Sequence, residues 1–114
     1  MSERSPITTH ILDLGSGRPA AGVAVTLEGQ NGNEWTPIAN GATDDDGRIG
    51  QWFEGPLASG LYRLTFATGA YFEAQGKPCF YPQVTIDFSV SADQDHYHVP
   101  LLLNQWGYST YRGS

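Results

Sequence analysis

The stretch His98-Val-Pro-Leu-Leu-Leu-Asn-Gln-Trp-Gly-Tyr-Ser-Thr-Tyr-Arg-Gly-Ser114 decides how the whole chain is read. Side chains of a strand point alternately to its two faces. Extended back to His96, the stretch therefore sends Tyr97, Val99, Leu101 and Leu103 one way and His96, His98 and Leu102 the other. The first set is apolar enough to be core. Two histidines beside a leucine suit neither an open surface nor a core, and fit a face that another subunit covers or that lines a pocket. Trp106-Gly107 turns the chain, and Tyr108 and Tyr111 alternate with hydroxyl residues in a second strand pattern. A polar chain end frays unless its contacts offset the entropy of ordering it. The strand pattern predicts an ordered end that contributes to a site.

Upstream the same period recurs. Ile7, Thr9 and Ile11 share one face, and Thr8, His10 and Leu12 the other, so His10 also points away from the apolar side. Gly15-Ser16-Gly17-Arg18-Pro19 is predicted as a turn, since glycine permits positive φ and proline fixes φ without donating a ladder hydrogen bond. Val23 to Glu28 reads as a strand with Val23, Val25 and Leu27 inward, Gln30-Asn31-Gly32-Asn33 as a hairpin turn, and about Trp35 to Ala42 as the next strand. Thr43-Asp44-Asp45-Asp46-Gly47-Arg48 turns the chain back through Ile49 to Phe53, and Gly55-Pro56 breaks it. Leu61 to Ala67 alternates with Tyr62, Leu64 and Phe66 toward the core, and Val84 to Val90 is a further strand. Ala70 to Gln75 is the one helical segment, stopped by Gly76 and Pro78. Met1 to Pro6 is polar and holds a proline, which predicts a flexible leader (1–6) before a domain spanning 7–114. Seven or eight short strands at this spacing make an all-β sandwich.

Composition narrows the functions. A chain of 114 residues is one domain that buries roughly two thirds of its unfolded surface. A formal charge of -6, with only six scattered Lys and Arg residues, excludes a nucleic-acid partner, whose phosphates require clustered cations. The single cysteine, Cys79, excludes an intrachain disulfide and reads as a small buried hydrophobe. No apolar run is long enough for a signal peptide or a membrane span, so a soluble, cytoplasmic protein is expected.

Thr9-His10-Ile11-Leu12-Asp13, Gly17-Arg18-Pro19-Ala20, Thr43-Asp44-Asp45-Asp46-Gly47-Arg48 and the closing YHVPLLL and YSTYRGS segments together resemble the transthyretin-like 5-hydroxyisourate hydrolases. The resemblance runs from about Ile7 to Ser114. Its early half is shared with non-catalytic sandwich modules, whereas the YRGS ending is similar to the hydrolases and not to transthyretin. At Asn104-Gln105 the family more often has Ser-Pro, which implies a changed loop beside an intact site. The resemblance implies a transthyretin-like two-sheet β-sandwich of seven to eight antiparallel strands with one short helix. It also implies a homotetramer with sites at the dimer-dimer interface. The implied activity is hydrolysis of 5-hydroxyisourate to 2-oxo-4-hydroxy-4-carboxy-5-ureidoimidazoline without a metal or other cofactor. By motif position the catalytic residues fall on His10, Arg48 and His98, and the substrate-binding residues on His10, Arg48, Tyr111, Arg112 and Ser114.

Those residue types suit the chemistry. Opening a cyclic imide-like carbonyl with water needs a base for the water proton and a donor for the developing oxyanion. A neutral histidine near its usual pKa serves as base, and the planar fork of Arg48 clamps a flat, heteroatom-rich ring as a lysine would not. His98 is taken as the base with His10 as its partner, and Tyr111 as a hydroxyl donor or acceptor. The plainer readings are a solvated or structural His96, a zinc site of His96, His98 and His10 lacking Cys or carboxylate ligands, and an Asp44–Asp46 turn without calcium-loop spacing. Trp35, Trp52 and Trp106 read as core or interface filler. A transthyretin-type small-ligand carrier and a non-catalytic β-sandwich module are the competing functions.

Overall fold

Two sheets face each other across the apolar halves of these alternating strands. The computed structural model describes residues 5–113, and these contain nine strands and one helix. In chain order they are β1 Ile7–Asp13, β2 Arg18–Pro19, β3 Ala24–Asn31, β4 Glu34–Ala42, β5 Arg48–Ile49, β6 Gly60–Phe66, α1 Thr68–Glu73, β7 Val84–Val90, β8 Tyr97–Leu103 and β9 Tyr108–Thr110. One sheet runs β2-β1-β8-β9 with β5 also paired to β1, and the other runs β4-β3-β6-β7. The side chains predicted to face inward do so. Ile7, Ile11, Leu101 and Leu103 from the first sheet meet Val25, Leu27, Leu64 and Phe66 from the second, all buried. Each such burial contributes about 1.5–3 kcal/mol relative to exposure.

The pairing departs in one place from an all-antiparallel sandwich. β1 and β8 run parallel, from Ile7 opposite Tyr97 to Asp13 opposite Leu103, while every other pairing among the described strands is antiparallel. A parallel pair needs a long crossover, and here the whole second sheet lies between β1 and β8 in the chain. Alternation looks the same in either sense, so periodicity could not reveal it.

Other boundaries shift for local reasons. Of the expected stretch from Ile49 to Phe53, only Ile49 belongs to a strand, and the Gly50 carbonyl adds one backbone bond, accepting from Ser5 N–H at 2.8 Å. Beyond it, Trp52 donates its indole N–H to the Ile7 carbonyl at 2.8 Å. Ser5 and Pro6 are not loose. The Ser5 hydroxyl accepts from the Trp52 and Phe53 backbone N–H groups and donates to the Phe53 carbonyl, and the Pro6 carbonyl accepts from Tyr97 N–H. The helix starts two residues early, at Thr68, because Thr68 is buried and its hydroxyl donates to the Tyr81 carbonyl at 2.8 Å. It docks on the first sheet through Tyr71, whose hydroxyl donates to the buried Asp13 carboxylate at 2.8 Å. Desolvation by burial, then the hydrogen bond to Asp13, push the Tyr71 phenol above its ordinary pKa. Cys79 is half-buried at the margin of the core, not fully buried as its reading as a small buried hydrophobe expected, and Trp106 is exposed on the protomer, which leaves only the interface half of its reading as core or interface filler.

Candidate active site

Register brings the three nominated catalytic residues to one sheet face. On β1, Thr8 pairs with His98, His10 with Pro100 and Leu12 with Leu102 of β8, so these six share the outer face. β5 lies on the other edge of β1 and sets Arg48 directly opposite His10. Strands about 4.8 Å apart and steps of about 3.3 Å per residue put the His10 and His98 Cα atoms roughly 8 Å apart on the diagonal. That is within reach of one small ring held between two imidazoles. His10 and His98 are half-buried, and Arg48 is exposed.

The acidic turn sets the position of Arg48. The Asp44 carboxylate accepts from the backbone N–H of Asp46 and of Arg48, at 2.9 and 3.0 Å, and the Gly47 N–H donates to the Asp44 carbonyl. Those aspartates therefore build a turn. Gly47 sits at φ +76°, and a Cβ there would lie 2.4 Å from the Ile11 carbonyl oxygen. The Ile11 N–H in turn donates to the Gly47 carbonyl at 2.7 Å. Only glycine allows this turn to press against β1 and deliver Arg48 beside His10. The one ion pair among the described residues joins Arg63 and Asp87 on the second sheet, which leaves the Arg48 guanidinium uncommitted to a carboxylate there.

Among the described residues, Thr8 and Gly113 both bear on the His98 ring. Its Nδ1 lies 2.8 Å from the buried Thr8 hydroxyl. Its Cδ2 edge rests on Gly113, where a Cβ would come within 2.6 Å of it. The chain end reaches this spot through the Gly113 N–H, which donates to the His98 carbonyl at 2.8 Å. The same Thr8 hydroxyl lies 3.0 Å from Nε2 of His96. His96, read from the sequence as solvated or structural, is thus joined to His98 by one hydroxyl, with the two rings nearly parallel at 6.4 Å. The signal for it was present in the His-Xaa-His spacing beside Thr8, but its partner lay on a strand 88 residues away.

Tyr111 and Arg112 belong to the chain end, which runs along the free edge of β8 through the Leu101–Thr110 pair and the His98–Gly113 bridge. They line a cleft between β7 and the chain end together with Ile86, Phe88, Tyr97 and His98, so His98 is the residue common to this cleft and to the group with His10 and Arg48. Arg112 stacks over the Tyr97 ring at 4.7 Å and donates to the Gln94 side chain at 3.3 Å, which anchors the chain end. Tyr111 is exposed. Ser114 lies outside the described residues. The Asn104-Gln105 turn is built from its own residues: the Asn104 side-chain oxygen accepts from the N–H groups of Trp106 and Gly107, and Gln105 bonds Pro78 and Phe80.

The class defined by these features is a transthyretin-type β-sandwich carrying histidine and arginine on one outer sheet face, equipped for proton transfer. The chain belongs to the HIUase/Transthyretin family, whose model matches residues 7–113. It is 50% identical over 109 residues to the 5-hydroxyisourate hydrolase of Salmonella typhimurium, covering 95% of this chain and 80% of that protein. The structure of Klebsiella pneumoniae 5-hydroxyisourate hydrolase is similar at TM-score 0.86 and 41% identity, over 96% of this chain and 100% of that one. Transthyretin from Sparus aurata is similar at TM-score 0.91 and 33% identity, over 96% and 97% of the two chains. Backbone shape therefore does not separate hydrolase from transthyretin. Identity favours the hydrolases.

Proposed function

We propose that this chain hydrolyses 5-hydroxyisourate to 2-oxo-4-hydroxy-4-carboxy-5-ureidoimidazoline in urate degradation. The observation that carries the reading is the register placing Arg48 opposite His10 and His98 on the diagonal from it, together with 50% identity to a hydrolase. His98, as a neutral imidazole, takes a proton from water as the oxygen attacks a ring carbonyl carbon. The Arg48 guanidinium holds the oxyanion through its planar donors. When the oxyanion collapses the ring C–N bond breaks, the carbonyl carbon becomes a carboxyl group, and a protonated imidazole returns its proton to the leaving nitrogen. His10 partners His98 in this exchange. Tyr111 with Arg112 and Ser114 closes the site from the chain end.

The working form is a homotetramer in the cytoplasm with sites at the dimer-dimer interface. Support comes from an outer face that one protomer leaves partly open, with Arg48 exposed and His10, His98 and Leu102 half-buried. No helix among the described residues is long and apolar enough to cross a membrane. Likeness to transthyretin favours one second reading, a small-ligand carrier. The two separate in a single sample whose mass is measured in solution and whose effect on freshly made 5-hydroxyisourate is followed by absorbance. A tetramer that accelerates the decay at catalytic concentration supports the hydrolase. Stoichiometric binding without turnover supports the carrier.

A further inference from the structure

The Thr8 hydroxyl stands between two imidazole nitrogens, 2.8 Å from His98 Nδ1 and 3.0 Å from His96 Nε2, and is buried. A hydroxyl has one proton to give and two lone pairs to receive with. If it donates to His98, then Nδ1 is the bare nitrogen of His98 and the proton sits on Nε2, where a base is needed. If it donates to His96, it accepts from His98 Nδ1–H, and Nε2 of His98 is left basic. Of the two ring orientations, this one turns Nδ1 to the Thr8 hydroxyl and the Cδ2 edge to Gly113.

We infer that His96 and Thr8 are positioning residues: His96 Nε2 accepts the Thr8 proton, Thr8 Oγ1 accepts the Nδ1 proton of His98, and this chain fixes His98 in the tautomer whose Nε2 is the base. The choice between the two proton orders rests on the hydrolase reading, which requires a basic Nε2. The strand register places the hydroxyl that links the two rings, since Thr8 is the direct β1 partner of His98. Once Nε2 takes a proton from water, the Nδ1–H bond to Thr8 is kept, so no rearrangement accompanies the charge. Partners that orient a metal-bound imidazole through its second nitrogen change activity about 10–100-fold when removed, and a loss of at least that size is expected for a metal-free base held in the same way.

The chain has three histidines, so a long-range ¹H–¹⁵N spectrum of histidine-labelled protein near pH 8, roughly 1.5 units above the usual imidazole pKa, resolves each ring, with assignment by single substitution. His98 is expected as the Nδ1–H tautomer in the wild type and as a mixture shifted toward Nε2–H in Thr8→Val. In the decay assay Thr8→Val lowers kcat about 10–100-fold with KM little changed, and Thr8→Ser restores most of it. His96→Gln, whose side-chain oxygen can accept in place of Nε2, keeps most of kcat, whereas His96→Leu falls with Thr8→Val. A wild-type His98 protonated on Nε2, or equal losses in His96→Gln and His96→Leu, overturns the inference. A wild type with the expected tautomer but no turnover leaves the hydrogen-bond order standing and removes the hydrolase reading instead.

Discussion

Replacing Gly47 by alanine tests whether the acidic turn is what delivers Arg48 to His10. The backbone there is at φ +76°, where a side chain costs about 1–2 kcal/mol. The new Cβ would also lie 2.4 Å from the Ile11 carbonyl oxygen and 3.1 Å from Ala20 N. Both atoms are backbone, so relief means moving β5 away from β1. That movement gives up the 2.7 Å Ile11 N–H to Gly47 bond and loosens the 2.9 Å Ala20 N–H to Ile11 bond, at about 1 kcal/mol each. The sum is about 3–4 kcal/mol, or about 12–16 °C in Tm for a domain of this size. Arg48, the next residue, moves with the turn, and a misplacement of about 1 Å costs on the order of 100-fold in turnover. Gly32→Ala is the control. Gly32 is at φ +66° with nothing within 4 Å of its Cβ, in the β3–β4 hairpin of the other sheet, so it pays the conformational cost alone and keeps full activity. Thermal melts followed by circular dichroism and the decay assay on both variants give the comparison. Equal Tm losses, or wild-type turnover in Gly47→Ala, would refute the reasoning.

Three further outcomes follow from single contacts. Gly113→Ala drives a methyl into the His98 ring, so activity falls at least about tenfold while Tm changes by only a few degrees, because the contact is at the chain end. Arg48→Lys keeps the charge but not the fork, and is expected to lower kcat/KM about 10–100-fold with an unchanged melt, since Arg48 is exposed. Tyr71→Phe removes the bond to buried Asp13. The Tyr71 phenol is raised in the folded state, so its stabilising contribution is full below the unfolded value of about 10 and is lost as pH rises through the higher folded value. Urea midpoints should fall more steeply above about pH 10 in the wild type than in Tyr71→Phe, and parallel curves would contradict this.

Much of the sandwich was legible because alternation with bulky apolar residues is a local signal. Tyr97 to Leu103 and Leu61 to Phe66 face as their period says, and Val84–Val90 keeps its bounds. What alternation cannot carry is long-range pairing sense, hence the missed parallel β1–β8 register. Nor does it mark polar anchoring. Ser5 is buried by three hydrogen bonds to Trp52 and Phe53, and nothing in a polar leader announces that. At the site, the outward placement of His10 and His98 was readable from each strand alone. The proximity of Arg48 to His10 came through family likeness, since it depends on a turn pressed against β1. His96 and Thr8 were missed because each looks ordinary until the register joins them.

The most direct measurement of whether this sheet face is catalytic is the decay of freshly prepared 5-hydroxyisourate in the presence of wild type, His98→Ala and Arg48→Ala, each shown to be folded and of equal mass in solution. Wild type is expected to accelerate the decay and both variants to fall to near the uncatalysed rate. A folded His98→Ala protein that turns over at the wild-type rate would contradict it.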